Sequence, residues 1–298
     1  MSDFDHREDR AHQDNRAAAT PLTSEFGPPD HRHPARAGTR TIAVANQKGG
    51  VGKTTTAINL ATGLAACDQR VLVIDLDPQG NASTGLGVSE YETDVYDVLI
   101  SGEELSMAIC RTEIPGLDVA PASADLAGAE IELIEIDHRE ARLRQVLDAV
   151  LGNYDYVLID CPPALGLLTI NALVAADTVL VPLQCEYFAL EGLSRLMKSI
   201  ERVRRAYNED LDIQGIVLTM HDARNNLCRS VEADVREYFG DRVYRTVIPR
   251  NVRLSEAPSF GKPALVYDLA CAGAQAYARL AAEVLRREGA SPIGEAAQ

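Results

Sequence analysis

The chain has 298 residues, of which 46% are hydrophobic, and a formal net charge of −15. A chain of this length can bury enough apolar surface for one large α/β domain or two small ones. It contains no apolar run of the roughly 18 residues that a membrane-spanning helix needs, and its acidic balance argues against a surface that is basic overall.

The first 40 residues are polar and contain four of the six histidines. They show neither a periodic apolar pattern nor the basic-then-apolar order of a secretion signal. We interpret residues 1–40 as a disordered N-terminal tail and residues 289–298 as a flexible C-terminal tail. The six cysteines are scattered without a C-x-x-C pair, which is typical of a protein in a reducing cytoplasm.

Between these tails, short apolar segments alternate with helical patterns. The apolar segments are continuous, which indicates strands that are buried on both faces of a sheet. We therefore predict one α/β domain over residues 41–288, with a mostly parallel central sheet flanked by helices. The predicted strands are 41–46, 71–75, 117–120, 155–160, 178–183, 213–220 and 243–248. The predicted helices lie near 54–66, 125–134, 139–151, 166–175, 190–206, 229–239 and 271–287.

The first predicted strand leads into a glycine-rich loop, and a helical pattern follows. The loop is of the G-x-x-x-x-G-K-[ST] kind, except that its second half is compressed and a second lysine stands at its start. Backbone N–H groups in such a loop, and the helix N-terminus behind it, bind polyphosphate. We expect Lys53 to reach the β- and γ-phosphates and the Thr54 hydroxyl to bind Mg²⁺. A second lysine, Lys48, stands at the opening of the loop and suggests a charge for another nucleotide or another subunit. The predicted nucleotide-binding residues here are Lys48, Gly49, Gly50, Val51, Gly52, Lys53, Thr54 and Thr55.

Two further predicted strands end in carboxylates. Asp77 closely follows the strand 71–75, and we predict that it positions the water that attacks the γ-phosphate. Asp75 is an equally good candidate for capping the next turn. Asp160 ends the strand 155–160, and we predict that it binds Mg²⁺ directly or through water. In parallel sheets ligands lie at the carboxyl ends of the strands, where these residues fall.

The segment after the last predicted strand contains Pro249 and Asn251. Rigid prolines around a carboxamide suit an edge contact to adenine, since the amide can donate and accept hydrogen bonds. A simple surface loop is the alternative interpretation. Both residues are assigned to the predicted nucleotide site.

Arg224 and Arg253 are predicted to lie in loops after adjacent late strands. Exposed arginines are ordinarily just solvated. These two, however, fall in a stretch of the predicted domain where basic residues outnumber acidic ones. Residues 193–262 carry 13 basic and 10 acidic residues, whereas residues 71–192 carry 4 basic and 22 acidic ones. A locally basic face is therefore compatible with the acidic total.

Together these segments resemble the ParA/Soj family of chromosome- and plasmid-partitioning ATPases. This family belongs to the MinD/ParA class of P-loop NTPases, which have a deviant Walker A motif. The resemblance covers residues 41–268, and the later motifs are similar to the chromosomal branch in particular. It rests on the segments 46–56, 75–81, 160–163, 184–192 and 248–258.

The resemblance implies an ATPase that uses Mg²⁺ and forms an ATP-dependent homodimer with the nucleotides between its subunits. Lys48 matches the family's signature lysine, which reaches the partner's phosphates, and Asp77 matches the hydrolytic aspartate. These two are the predicted catalytic residues. Arg224 and Arg253 match arginines that bind double-stranded DNA without sequence preference. A ParB-like centromere-binding protein would stimulate hydrolysis, and the protein would be cytoplasmic, nucleoid-associated and without a membrane contact.

Three alternatives are weighed against this interpretation. A MinD-like, membrane-recruited ATPase needs a terminal amphipathic helix with large apolar residues, whereas residues 276–287 are rich in alanine. An iron–sulfur reductase needs cysteines that bridge two subunits, and Cys161 and Cys185 do not make a convincing pair. A nucleotide-binding module without hydrolysis is disfavoured by Asp77. The choice between chromosome and plasmid, and the role of the N-terminal tail, stay open.

Overall fold

A seven-stranded sheet forms the centre of the computed structural model, which describes residues 38–289. The strands lie in the order β3-β4-β2-β5-β1-β6-β7, and all pair in parallel except the short edge strand β3. The predicted α/β fold with a mostly parallel sheet is therefore confirmed. The strands are β1 (Arg40–Val44), β2 (Val71–Asp75), β3 (Cys110–Arg111), β4 (Leu117–Ala120), β5 (Tyr156–Asp160), β6 (Thr178–Gln184) and β7 (Asp212–Thr219).

Helices cover both faces of the sheet. The longer ones are α1 (Lys53–Ala65), α6 (Leu167–Ala175), α7 (Ala189–Ala206), α8 (Asn226–Phe239) and α11 (Ala272–Arg287). The shorter ones are α2 (Asn81–Gly85), α3 (Leu105–Ala108), α4 (Leu126–Glu132), α5 (Arg142–Leu147), α9 (Val252–Glu256) and α10 (Ala264–Tyr267). A π-helical turn lies at Asp97–Ser101, and 3-10 turns lie at Leu133–Glu135, Arg139–Ala141, Leu151–Asn153, Gly240–Arg242 and Ala257–Phe260.

The apolar side chains of each strand divide between two core clusters, one on each face of the sheet. In β1, Ile42 and Val44 pack in the cluster that contains α1 and α11, whereas Ala43 packs in the cluster that contains α6 and α7. All three residues are fully buried. Successive strand residues point to opposite faces, so a sheet covered on both sides needs the continuous apolar runs that the sequence shows.

A buried polar network fastens the end of α11 to the edge of the sheet where the strands begin. Arg40 Nη2 and the Thr178 hydroxyl donate to Gln214 Oε1 at 3.1 and 2.8 Å. Gln214 Nε2 donates to Glu288 Oε1 at 2.8 Å, and the Tyr156 hydroxyl donates to Glu288 Oε2 at 2.6 Å. This anchor holds α11 on the sheet and leaves the opposite edge, at the carboxyl ends of the strands, to the loops of the candidate site.

The predicted strand at 243–248 is wrong. The segment runs alongside β7, with one isolated parallel bridge from Val243 to Ile216 and another just past both ends, from Pro249 to His221. Between the bridges, the backbone N–H groups of Arg245 and Thr246 donate to the carboxylate of Glu283 on α11, at 2.8 and 2.9 Å. Because this side chain takes two successive backbone donors, no continuous ladder with β7 forms.

The predicted tails fall mostly outside the described residues. Of the predicted disordered segment 1–40 only residues 38–40 are described, and of the predicted flexible segment 289–298 only Gly289. Thr39 is buried, and its hydroxyl donates to Tyr154 O at 2.7 Å. Within 38–289, no helix is both long and apolar enough to span a bilayer.

Candidate active site

Three neighbouring strands bring the candidate residues to one edge of the sheet. β5 lies between β1 and β2, and Asp160 is in register with both Val44 and Asp75. The phosphate loop follows β1, and Asp77 follows β2 by two residues. The loop and the three aspartates therefore lie side by side at the carboxyl edge of the sheet.

The glycine-rich loop is shaped as an anion cradle. Gly50 and Gly52 have φ angles of 73° and 88°, which residues with a Cβ rarely adopt. Gly52 stands at the N-terminal cap of α1, where no side chain caps the helix and the first turn holds no acidic residue. The first N–H groups of α1 and the positive end of its dipole are thus available to phosphate. The Thr219 hydroxyl donates to Val51 O at 2.8 Å and ties the loop to β7.

Asn46 fixes the opening of the loop. Its Oδ1 accepts a hydrogen bond from the Lys48 backbone N–H at 3.0 Å, and its Nδ2 donates to Pro182 O in β6 at 2.7 Å. The side chain is 5% exposed. The backbone at the first lysine is therefore held between β1 and β6.

Lys53 lies inside the loop. It is 6% exposed, and its Nζ donates to Lys48 O at 3.4 Å. Burial lowers the pKa of Lys53, while the negative charges of Asp160 and Asp77 oppose that effect. The ammonium is thus desolvated before a ligand arrives, which strengthens its attraction to phosphate oxygens.

Asp160 is a buried carboxylate without a hydrogen-bond donor. It is 0% exposed, and neither oxygen accepts a hydrogen bond of good geometry among residues 38–289, although the Thr54 hydroxyl lies close by. Burial and the neighbouring Asp75 raise its pKa well above the ordinary range, whereas the nearby Thr54 hydroxyl and the Lys53 ammonium lower it. A buried carboxylate that lacks partners is costly unless a cation compensates it. Oxygen donors from Asp160 and Thr54 are the kind that Mg²⁺ prefers, so the residues fit this ion.

Asp75 and Asp77 differ in environment. Both oxygens of Asp75 are engaged, since Oδ2 accepts from the Ser83 N–H at 2.9 Å and its hydroxyl at 2.8 Å, and Oδ1 accepts from the Asp77 N–H at 3.1 Å. Burial raises the pKa of Asp75 to about 6. Asp77 is partly exposed, and its Oδ1 accepts only from the Gln79 N–H, at 3.1 Å. Asp75 therefore holds the loop in shape, and Asp77 is the carboxylate available to a ligand.

Lys48 contacts a residue that the sequence did not identify as part of the site. Its ammonium pairs with the carboxylate of Glu186, which follows β6. The two side chains are 48% and 44% exposed. The lysine at the opening of the loop thus faces solvent beside an acid of its own chain, in contrast to the buried Lys53.

Asn251 begins α9. Its Oδ1 accepts from the Arg253 N–H at 2.9 Å, which caps the helix. Its Nδ2 has no partner among the described residues. Pro249 forms an isolated bridge with His221, just past the end of β7, which places this segment at the carboxyl edge of the sheet.

The two predicted DNA-binding arginines are both paired with acids of the same chain. Arg224 lies between β7 and α8 and is 91% exposed, with its Nε 3.0 Å from Asp222 Oδ1. This contact lowers the pKa of Asp222 to about 2. Arg253 lies in α9, not in the predicted loop, because the Asn251 cap starts a helix there. Its guanidinium pairs with Glu256 at 2.7 Å and with Asp268 at 3.5 Å.

Sequence reasoning missed three residues that shape the site. Glu186 and Ser83 contact the first lysine and the first aspartate, as described above. Glu130 of α4 packs against Gly166, in the loop after Asp160, so closely that a Cβ at Gly166 would lie 1.9 Å from its Oε1. An acidic residue two positions after the end of β6 was the available signal for Glu186. Nothing in the sequence indicates the contacts of Ser83 or Glu130.

The cysteines form no metal centre in the described part of the chain, where no group of three potential His, Cys, Asp or Glu ligands comes together. Cys161 is fully buried, and burial raises its pKa. Cys185 has Cys228 as a neighbour, and burial raises its pKa to about 12. Both thiols are therefore protonated core residues at neutral pH.

Comparison with known proteins agrees with this geometry. Residues 39–213 match the family model described as an AAA domain. Over 253 residues the chain is 63% identical to the chromosome partitioning protein ParA of Caulobacter vibrioides, a match that covers 84% of this chain and 95% of that protein. The chain belongs to the ParA/Soj family of partitioning ATPases.

A second relative supports the assignment to the ParA/Soj family, and a solved structure with a bound nucleotide is similar to this chain. The chain is 55% identical to the sporulation initiation inhibitor protein Soj of Bacillus subtilis, over 82% of this chain and 98% of that protein. A solved structure of cobyrinic acid a,c-diamide synthase from Mycobacterium smegmatis with bound ADP and magnesium has a TM-score of 0.73 and 39% identity, and covers 83% of this chain and 94% of that one. This ParA/Soj-type chain is an ATPase that uses ATP and Mg²⁺.

Proposed function

We propose that this ATPase segregates DNA and that its ATP-bound form is a homodimer with the nucleotides between its subunits. The observation that carries the proposal is the contrast between the two lysines of the phosphate loop. Lys53 is 6% exposed inside its own loop, whereas the Lys48 side chain is 48% exposed at the opening. One lysine serves the phosphates of its own subunit, and the other is placed to reach those of a partner.

Within each subunit, the N–H groups of the segment 49–55 and the Lys53 ammonium bind the ATP phosphates. Thr54 and Asp160 hold Mg²⁺, which when bound neutralises charge on the phosphate oxygens. Asp77 orients a water molecule toward the γ-phosphorus. As the water oxygen bonds to phosphorus, the bond to the ADP oxygen breaks, and the products are ADP and inorganic phosphate.

The adenine contact is assigned to the segment after β7. Asn251 Nδ2 donates to the base edge, while its Oδ1 remains the cap of α9. Pro249 restricts the backbone just before it. The Asn251 side chain is already held in place as a helix cap. Its donor therefore orients the base with little further loss of side-chain conformational entropy.

DNA binding follows from dimerisation. Arg224 and Arg253 of one subunit neutralise few phosphates, so binding by a monomer is weak and falls steeply with salt. A dimer presents both sets of arginines together and gains affinity through effective concentration. Contacts to phosphates alone carry no sequence preference. The acidic remainder of the surface repels DNA and orients the dimer.

The family resemblance supplies the rest of the proposed cycle. A ParB-like centromere-binding protein stimulates hydrolysis, the dimer separates, and the DNA is released. The protein is then cytoplasmic and associated with the nucleoid while ATP is bound. A MinD-like membrane role is less well supported, because the apolar face of α11 packs on α1, with Tyr277, Leu280 and Val284 at most 1% exposed.

The experiment that tests this function is retention of random-sequence duplex DNA with ATP, with ADP and without nucleotide, across a salt series. We expect retention with ATP only, and a steep loss as salt rises. Equal retention in the three nucleotide states would contradict control of DNA binding by ATP.

A further inference from the structure

An open cleft lies between α11 and the irregular segment beside β7. Its volume is about 910 Å³. The network around Glu288 places the end of α11 at the edge where the strands begin, so the cleft lies away from the nucleotide loop. Its charged lining residues are Asp241, Arg245, Arg279, Glu283, Arg286 and Arg287. We call it the edge cleft.

Two of these residues are committed to holding the fold. Glu283 is 6% exposed and accepts two backbone N–H groups as well as Arg287 Nη2, at 2.9 Å. Arg287 Nη1 donates to Asp241 O at 3.0 Å, and its guanidinium lies 4.0 Å from the centre of the Tyr244 ring. The opposite charges of Glu283 and Arg287 compensate each other, so this pair does not set the net charge of the cleft.

The remaining arginines are free. Arg245, Arg279 and Arg286 are exposed, and none of their side chains has a hydrogen-bond or carboxylate partner among residues 38–289. Only Asp241 opposes them within the lining. On a chain of net charge −15 this leaves a local excess of positive charge. Unpaired guanidinium groups are the side chains best suited to bidentate contacts with phosphate.

The cleft is continuous with the proposed DNA contacts. The segment that starts at Arg245 runs parallel to β7 as far as Arg250, whose N–H donates to His221 O at 3.1 Å, three residues before Arg224. The segment from Arg245 to Arg250 therefore leads from the cleft to the loop that carries Arg224.

We propose that the edge cleft is a second contact for the phosphodiester backbone of duplex DNA, made by Arg245, Arg279 and Arg286. This inference rests on the proposed DNA binding and extends its footprint along the outer edge of the sheet. It also explains how this chain binds DNA although Arg224 and Arg253 are each paired with acids of the same chain. The free arginines of the cleft supply the uncompensated charge.

The test compares two double variants, each of which removes two exposed cations from one long helix. The two helices, α11 and α7, lie on opposite faces of the sheet. Arg279→Ala/Arg286→Ala removes two arginines of the cleft on α11, and Lys198→Ala/Arg202→Ala removes two exposed cations on α7. For each variant, the dissociation constant for a short random-sequence duplex is measured with a non-hydrolysable ATP analogue across a salt series. The slope of log affinity against log salt falls by about 0.9 for each lost phosphate contact.

We expect the α11 pair to reduce that slope by about 1.8 per bound subunit, with normal ATP turnover, dimerisation and melting temperature, and the α7 pair to leave it unchanged. An unchanged slope in the α11 pair would overturn the edge cleft as a DNA contact even if wild-type DNA binding is normal. If that variant instead loses only affinity for inorganic tripolyphosphate, the cleft binds small anions and the DNA assignment is wrong. Absence of wild-type DNA binding would overturn the proposed function together with this inference.

Discussion

The ammonium of Lys48 is paired with the carboxylate of Glu186, a residue 138 positions later in the same chain. Both side chains are nearly half exposed. An ion pair in such a position contributes only about 0 to 1 kcal/mol. The contact therefore holds the lysine at the mouth of its own site in the monomer, yet yields readily to the phosphates of a second subunit.

Replacement of Glu186 tests this competition. Because Glu186→Gln removes the acid that competes for Lys48, we expect the ATP-bound dimer to tighten by up to about fivefold for each of its two sites, the equivalent of about 1 kcal/mol per site. Sedimentation with a non-hydrolysable ATP analogue measures the change. Glu191→Gln, which breaks a different exposed pair at the start of α7, is the matched control. A weaker dimer in Glu186→Gln would show that the acid supports assembly.

Asp77 is predicted to act in hydrolysis and not in binding. Asp77→Ala should lower ATP turnover by about 100-fold or more, as loss of a residue that activates water does, while ATP affinity and ATP-dependent dimerisation persist. Steady-state phosphate release measures the effect. Gln79→Ala in the same loop serves as the control. Normal turnover in Asp77→Ala would remove this carboxylate from the mechanism.

Arg224 and Asp222 should have opposite effects on DNA binding. Arg224→Glu adds a repulsive charge beside the phosphates and should strongly weaken DNA retention, whereas Asp222→Asn frees the guanidinium from its partner and should strengthen it. ATP turnover without DNA should be normal in both variants. Retention assays at low and moderate salt distinguish the two directions. Equal DNA affinity in both variants would exclude this loop from the interface.

Asp75 should make the stability of the ligand-free protein depend on pH. Its pKa in the folded state is about 6, against an ordinary value of 3.8. As pH rises between these values the unfolded chain releases this proton before the folded one does, so the stabilising contribution of Asp75 is lost. The Asp75→Asn variant, whose side chain is neutral at every pH, does not lose stability in this way. We expect wild type to lose about 1 kcal/mol relative to the variant between about pH 5.3 and pH 7.5, measured by urea unfolding. A constant difference would show that Asp75 titrates normally.

The parts of the site that the sequence could predict are those set by local pattern. An apolar strand that runs into glycines and a lysine defines the phosphate loop without outside contacts, and Asp160 stands out as the polar end of a buried strand. Each depends on neighbours in the chain, so residue type and spacing are sufficient.

The parts that it could not predict depend on distant side chains. The segment 243–248 has strand-like residues but no ladder, since Glu283 from α11 takes its backbone donors. Arg253 falls in a helix because of the cap that Asn251 forms. Only the folded chain brings Glu186 close to Lys48. The same holds for the edge cleft, where folding brings Arg245 close to the arginines of α11.

The central claim is that Lys48 completes the site of the partner subunit. It is tested most directly by mixing Lys48→Ala with Asp77→Ala, two variants expected to be inactive alone. If Lys48 acts across the interface, the mixed dimer contains one complete site, in which the Lys48→Ala subunit supplies Asp77 and receives Lys48 from its partner. Random pairing at equal amounts then restores about a quarter of the wild-type ATP turnover. Turnover that stays at the level of the separate variants would show that Lys48 serves its own subunit, and would contradict the proposed sharing of the nucleotide.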